Sequence, residues 1–358
     1  MTASKIIFNL LLVGSMVSFG ASSETIALSP VSDVDISMVQ SAPLYNSWPM
    51  IQSFSNKVLC AFSKGSAHTI NEGKRGVYAR ISKDAGRTWD SEICVVNDPK
   101  IGEVTIGKGL DETGAALIWV RRWGARKGHD LYRTTDGYSF EKISTPQFSP
   151  MPMQVTDICH IPGKGLMSLW FAGNYANKTG GHSWGTLFSS DNGHTWIQRA
   201  IEVDLPITEW PTEQSMIHLG NGKILAIARS ERGTKYQFQL TSTDNGLTWK
   251  REKTNIGDVC ESTPSLIYDS NSGNVYNYYY QRGAKKLKVR VVNATFIFSN
   301  PTKWPEPKTI AKGHEARAYD AGNVNGTVHN DKHILALYTG TISDTAVFTV
   351  SIKPQSEE

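Results

Sequence analysis

The chain has 358 residues, 39% hydrophobic and 20% charged, enough apolar side chains for a large buried core and too many for a disordered chain. Its 37 Lys and Arg against 33 Asp and Glu leave a formal charge of +4, too small an excess to mark nucleic acid as the main partner, and a small polar ligand such as a sugar fits better. With 31 Gly, 10 Trp, 13 Tyr and 12 Phe, the composition suits short strands joined by tight turns and disfavours a helical bundle.

Residues 1–23 read as a secretory signal peptide. Lys5 precedes the apolar run 6–19, and Gly20, Ala21, Ser22 and Ser23 supply a small-residue cleavage site. The run is shorter than the about 20 residues a spanning helix needs, so the expectation is export, to the periplasm or beyond, without a stable membrane span. Residues 24–358 are expected to form one domain. Cys60, Cys94, Cys159 and Cys260 allow at most two disulfides after export; none has Cys-x-x-Cys spacing, and neither a metal nor a cofactor is expected.

The first motif after the leader is Ser47-Trp48-Pro49-Met50-Ile51, and a loop at 63–78 gathers His68, Glu72 and Arg75. A strand at 76–81 leads into Ser82-Lys83-Asp84-Ala85-Gly86-Arg87-Thr88-Trp89. The same pattern returns at 189–196, at 242–249 after a strand at 237–241, and in weaker form at 134–140. Its aspartates, Asp84, Asp136, Asp191 and Asp244, are 52, 55 and 53 residues apart. A unit of about 53 residues fits about six times after the leader, a number that suits a closed ring of blades. Within each copy Asp accepts backbone hydrogen bonds, Gly supplies a positive φ, and Thr-Trp starts the next strand.

This repeat resembles the Asp-box, or BNR repeat, and through it the chain resembles the sialidase (neuraminidase) superfamily. The resemblance implies an all-β fold, a six-bladed β-propeller of sialidase type from about residue 30 to 354. It also implies that the boxes lie on outer hairpins, so Asp84, Asp191 and Asp244 are architectural.

Site residues of a propeller are scattered, because loops from several blades meet at one mouth. The stretch 209–229 reads as strand, Asn221-Gly222 turn and strand, with Glu213 opening the first strand and Arg229 ending the second, 16 residues on. It resembles the sialidase pattern in which a Glu is the base partner of a tyrosine nucleophile and an Arg grips the substrate carboxylate. By the same resemblance Arg282 matches a later arginine of the family's triad, and Tyr319 is the candidate nucleophile. A neutral phenol suits a sugar whose anomeric carbon bears a carboxylate, since an anionic nucleophile would be repelled, and the planar fork of Arg suits the carboxylate itself.

Two departures stand out. Trp48 occupies the place of the family's first-blade Arg, and no Asp lies between Asp35 and Asp84, where its acid is expected. The 63–78 loop is expected to compensate, with His68 or Glu72 as acid, titrating near a histidine's usual 6.5 or so, and Arg75 as carboxylate ligand. In this loop the chain resembles phage endosialidases. Trp48, Trp123, Trp184 and Trp210 are candidate sugar-stacking faces, while Arg121-Arg122-Trp123 and Lys285-Lys286 read as exposed basic clusters. The expected activity is a secreted exo-α-sialidase-like glycoside hydrolase whose partner is a glycan carrying sialic acid or another acidic sugar. The alternatives are an endo-acting polysialic acid hydrolase, a non-catalytic acidic-carbohydrate-binding propeller, and a lyase on another acidic polysaccharide.

Overall fold

Asn221 and Gly222 both take a positive φ, +50° and +76°, the requirement of a tight two-residue hairpin turn. They join the antiparallel strands Thr212–Gly220 and Lys223–Arg229, and Phe238–Ser242 and Lys250–Lys253 add in succession. The computed structural model describes residues 26–68, 75–231, 236–259 and 261–354, and such meanders make up nearly all of it. Another runs through Tyr45–Phe54, Lys57–Gly65, Arg75–Ser82 and Ile93–Val96. Among the described residues one short α-helix, Ala294–Ser299, interrupts the strands, its N-terminus capped by the Asn293 side chain. No helix among them is long and apolar enough to cross a membrane. The described strands group into sheets of twelve, five, five and four.

Burial follows strand position. Gly165–Ala172, second in its meander, is buried along its whole length, whereas the outer Ile197–Leu205 is largely exposed. A strand buried on both faces needs an apolar neighbour on each side, and successive meanders provide it. Ala61, Val77 and Ala79 pack with Ala116, Ile118 and Val120 of the following meander. Ile51, Val58 and Phe62, near the start of the chain, pack with Ile334, Ala336, Tyr338 and Val347, near its end. The early strand Asp35–Gln40 pairs with the late strand Thr345–Ile352. The first strands of the meanders converge on a central space, where Met50, Ile106, Thr156, Gln214, Pro264 and Val324 line a cavity of about 20 Å³.

The recurring Ser-x-Asp-x-Gly-x-Thr-Trp turns share one set of bonds. Ser82 Oγ donates to Asp84 and accepts from Gly86 N, while Asp84 accepts from Thr88 N (2.9 Å) and Thr88 Oγ1 (2.6 Å). Asp191 and Asp244 repeat these contacts with Thr195 and Thr248. Burial pushes the Asp84 carboxyl up, but the Thr88 and Ser82 hydrogen bonds outweigh it and hold it at about 2. Cys60, Cys94 and Cys159 are free thiols; Cys260 and residues 1–23 lie outside the described residues.

Candidate active-site cleft

At one mouth of the central space lies a cleft of about 370 Å³, whose lining includes Trp48, His68, Arg121, Tyr175, Glu213, Arg229, Arg282, Tyr319 and Asn323. Backbone irregularity aims several of them. The first strands carry bulges between Ser47 and Met50, Thr212 and Ser215, and Gly322 and Asn325. Within those bulges Trp48, Glu213 and Asn323 adopt φ of +50°, +46° and +48°. A left-handed conformation costs a non-glycine residue on the order of 1 kcal/mol, and at these three bulges, unlike the Asn-rich turns elsewhere, it falls inside a strand and turns a cleft-lining side chain toward the mouth.

Glu213 and Arg229, 16 residues apart in sequence, are paired across their hairpin at 3.0 Å. The Arg229 guanidinium also holds Glu231 at 3.0 Å, with Glu261 at 3.8 Å. Thr212 Oγ1 donates to Glu231, and Thr263 Oγ1 donates to Glu213. Burial works to raise the Glu213 carboxyl, yet the Arg229 charge, the Thr263 hydroxyl and Arg282 hold it below the usual carboxylate range. Burial dominates at Glu231, which ends above that range despite Arg229. Both bonds to Glu213 fall on Oε2, so Oε1 retains capacity to take a proton.

Arg282 is engaged by the protein. Its Nε donates to the Ala321 carbonyl, Nη1 to the Glu261 carbonyl and Nη2 to Asn323 Oδ1. Tyr319 sits on the 3-10 turn Ala318–Asp320, 58% exposed at the cleft. The turn is fixed by Asp320, which takes a two-pronged bond from Arg317 (2.8 and 2.9 Å) and a third from Tyr45 Oη. Tyr338 Oη donates to the Tyr319 carbonyl. No hydrogen bond joins the Tyr319 hydroxyl to Glu213 among the described residues.

His68 reaches the cleft, with Nδ1 3.0 Å from Tyr45 Oη and its ring beside Trp48 and Tyr319. The expected titration near 6.5 is corrected: burial, then the charges of Arg282 and Arg75, push His68 down to about 4. Glu72 lies outside the described residues. Arg75 lies behind the cleft wall rather than in it, donating to Ser47 Oγ and the Ala67 carbonyl, with its guanidinium 4.7 Å from the Trp48 ring. Trp210 is also corrected. It is fully buried, with Nε1 on the Ser183 carbonyl and His182 4.4 Å away, so it has no face for a sugar. Trp184 is buried as well, bonded to Glu202.

Arg121, Tyr175, Gln154 and Asn323 also line the cleft, outside the set expected from the sequence. A signal for Arg121 existed. Arg229 ends the second strand of its meander and Arg282 follows the second strand of the next, Asn274–Gln281; Arg121 lies near the end of Ala116–Gly124, again a second strand. Read as a position rather than as a basic cluster, it belongs to the same mouth.

No protein-family model and no curated protein sequence matches the chain. Solved structures do. A Dyadobacter fermentans protein of unknown function superposes with a TM-score of 0.75 at 14% identity, over 92% of this chain and 99% of that one. The Hadza microbial sialidase Hz136 gives 0.64 at 12% identity, over 86% and 66% of the two chains. The phage phi92 endosialidase gives 0.63 at 11%, over 91% and 70%, and a Trypanosoma rangeli sialidase 0.64 at 11%, over 88% and 55%. This chain therefore spans only about 55% to 70% of those sialidase chains. At such identities the likeness is one of architecture, and the chain has the nearly all-β, sialidase-like propeller fold.

Proposed function

We propose that the protein is an exported glycoside hydrolase, a six-bladed propeller of sialidase type, acting on glycans that carry sialic acid or a related acidic sugar. The six-bladed ring is supported by the apolar cluster joining the first and last meanders and by the first strands that meet in one channel. The shared bonding of the Asp84, Asp191 and Asp244 turns supports the Asp-box assignment.

One observation carries the activity: Glu213, Arg229, Arg282 and Tyr319, from separate stretches of chain, line a single cleft with His68. In the proposed reaction Tyr319 attacks the anomeric carbon as its phenol proton passes to Glu213 Oε1, which Arg229 and Thr263 keep ionised at neutral pH. His68 donates to the leaving oxygen as the glycosidic bond breaks; water then attacks the anomeric carbon, losing its proton to His68, and the released Tyr319 oxygen recovers its proton from Glu213. Because His68 must be protonated to donate, turnover is highest on the acid side and falls as pH rises through about 4. Assay of purified protein with a fluorogenic α-sialoside and with α2,8-linked polysialic acid tests the reading; turnover of neither removes it. A falling ladder of oligomers without free monosaccharide would mark endo action.

A second reading, binding without turnover, is favoured by one specific feature. Glu213 is the sole carboxylate among the described cleft-lining residues, and it is already tied to Arg229 and Thr263. That reading expects saturable binding of the acidic sugar with no product, and a Glu213→Gln variant of nearly unchanged affinity.

A further inference from the structure

The cleft holds three guanidinium groups, and they are not equivalent. Arg229 directs Nη1 at Glu213 and Nη2 at Glu231, with Glu261 close by. Arg282 gives Nε, Nη1 and Nη2 to two carbonyls and an amide oxygen. Arg121 has neither an ion pair nor a hydrogen bond among the described residues. Its guanidinium lies 4.5 Å from the ring of Trp123, an apolar support that leaves the donors of the fork uncommitted.

The surroundings of Arg121 are unusual for a structural arginine. The next residue, Arg122, faces the other side of the strand and is paired with Asp130 at 3.0 Å. The cross-strand partner of Arg121 is His129, which is buried and has neither ring nitrogen hydrogen-bonded among the described residues. Burial, reinforced by Arg121 and Arg122, pushes His129 down to about 3, so it is neutral and cannot repel a cation or attract an anion by charge. Burial likewise lowers Arg121 to about 10, which still leaves it charged at neutral pH. A cation enclosed in a ligand-sized cavity without a counter-charge is costly unless an anion completes it.

We propose that Arg121 is the principal receiver of the carboxylate of the acidic sugar, and that Arg229 and Arg282 chiefly hold Glu213 and the cleft backbone in place. The carboxylate docks on the uncommitted fork through two parallel charge-assisted hydrogen bonds. The inference rests on the reading that the cleft takes an acidic sugar. It assigns the recognition step to the second meander, whereas the resemblance alone points to arginines elsewhere.

Calorimetric binding of free N-acetylneuraminic acid, its methyl ester and glucuronic acid tests this, since none of these probes is turned over. The wild-type protein is expected to bind the acids and to discriminate against the ester. Arg121→Gln should weaken the acids by about 10-fold or more while leaving the ester unchanged, and Arg121→Lys should fall between, keeping the charge without the fork. If the wild type discriminates and Arg121→Gln does so equally well, the inference is overturned and the acidic-sugar reading stands. If the wild type binds none of the probes, both fall. Phenylglyoxal labelling mapped by peptide mass gives an arm independent of variants: Arg121 should be modified before Arg229 and Arg282 and be protected by the bound acid. Labelling of Arg229 or Arg282 first, with Arg121 unprotected, overturns the inference.

Discussion

At the scale of single residues, three carboxylates compete for Arg229, and the pH behaviour follows from how its charge is shared among them. Glu213 is held below its usual range, so its contribution to stability is present above the unfolded value of about 4.5 and is lost as pH falls through the lower, folded value. Replacing it with Gln should lower turnover by about 10²-fold or more, the scale of losing a general base, read from kcat on a fluorogenic sialoside. Histidines add a second acid sensitivity. His68, His129 and His333 are pushed down to about 4, 3 and 4, in each case chiefly by burial. Their unfolded counterparts protonate near 6.5 or so, so the native state loses stability progressively as pH drops from there toward 4. Thermal melts between pH 7 and pH 4 should show a falling midpoint, and His129→Phe should flatten the fall; an equal slope in that variant would discount His129. Some of this was legible in the sequence. The 16-residue spacing announced the Glu213–Arg229 pair because a hairpin returns the chain to its starting edge. Arg75, Trp210 and Arg121 were misread because burial there is decided by neighbouring loops and meanders, which local sequence does not encode.

At the scale of elements, the repeated turns and the first-strand bulges divide the labour. The turns bear local order. Asp244→Ala removes acceptors for Thr248 N and Thr248 Oγ1 and for Ser242 Oγ, and should cost about 1–2 kcal/mol in urea denaturation with kcat unchanged. Gly246 sits at φ +81°, a conformation that strains any residue with a Cβ, so Gly246→Ala should also destabilise, by about 1 kcal/mol, again with the cleft untouched. A loss of turnover at unchanged stability in either variant would show that these turns reach the cleft. The bulges do the opposite work: they give up ladder regularity to present Trp48, Glu213 and Asn323. The turns were readable because their side chains bond within a few residues of themselves. The bulges were not, since a left-handed Trp or Glu has no compositional mark and is imposed by the sheet around it.

At the scale of the whole molecule, the early and late parts of the chain hold each other in place, and the proposed ring closes through them. Asp35–Gln40 is an edge strand of the sheet that contains Thr345–Ile352, and Ile334 lies fully buried between the first and last meanders. Ile334→Ala should therefore cost about 2–5 kcal/mol in one cooperative denaturation transition, and deletion of residues 26–40 should abolish the native near-ultraviolet circular dichroism. A deletion variant that keeps its native spectrum would place the closing contacts elsewhere.

Beneath the cleft, Lys108 reaches across to Asp157 at 3.2 Å and to the Gly326 carbonyl at 3.0 Å, while Asn325 also holds Asp157. The passage between these strands narrows to the cavity of about 20 Å³. Seen from the cleft, the centre is thus a dead end for anything as wide as a sugar ring. On the proposed function, a long saccharide is not drawn through like thread through a bead; it lies across the rim and dips a single residue or bend into the recess, so the fit of that one inserted unit, more than the length of the chain behind it, governs what is chosen.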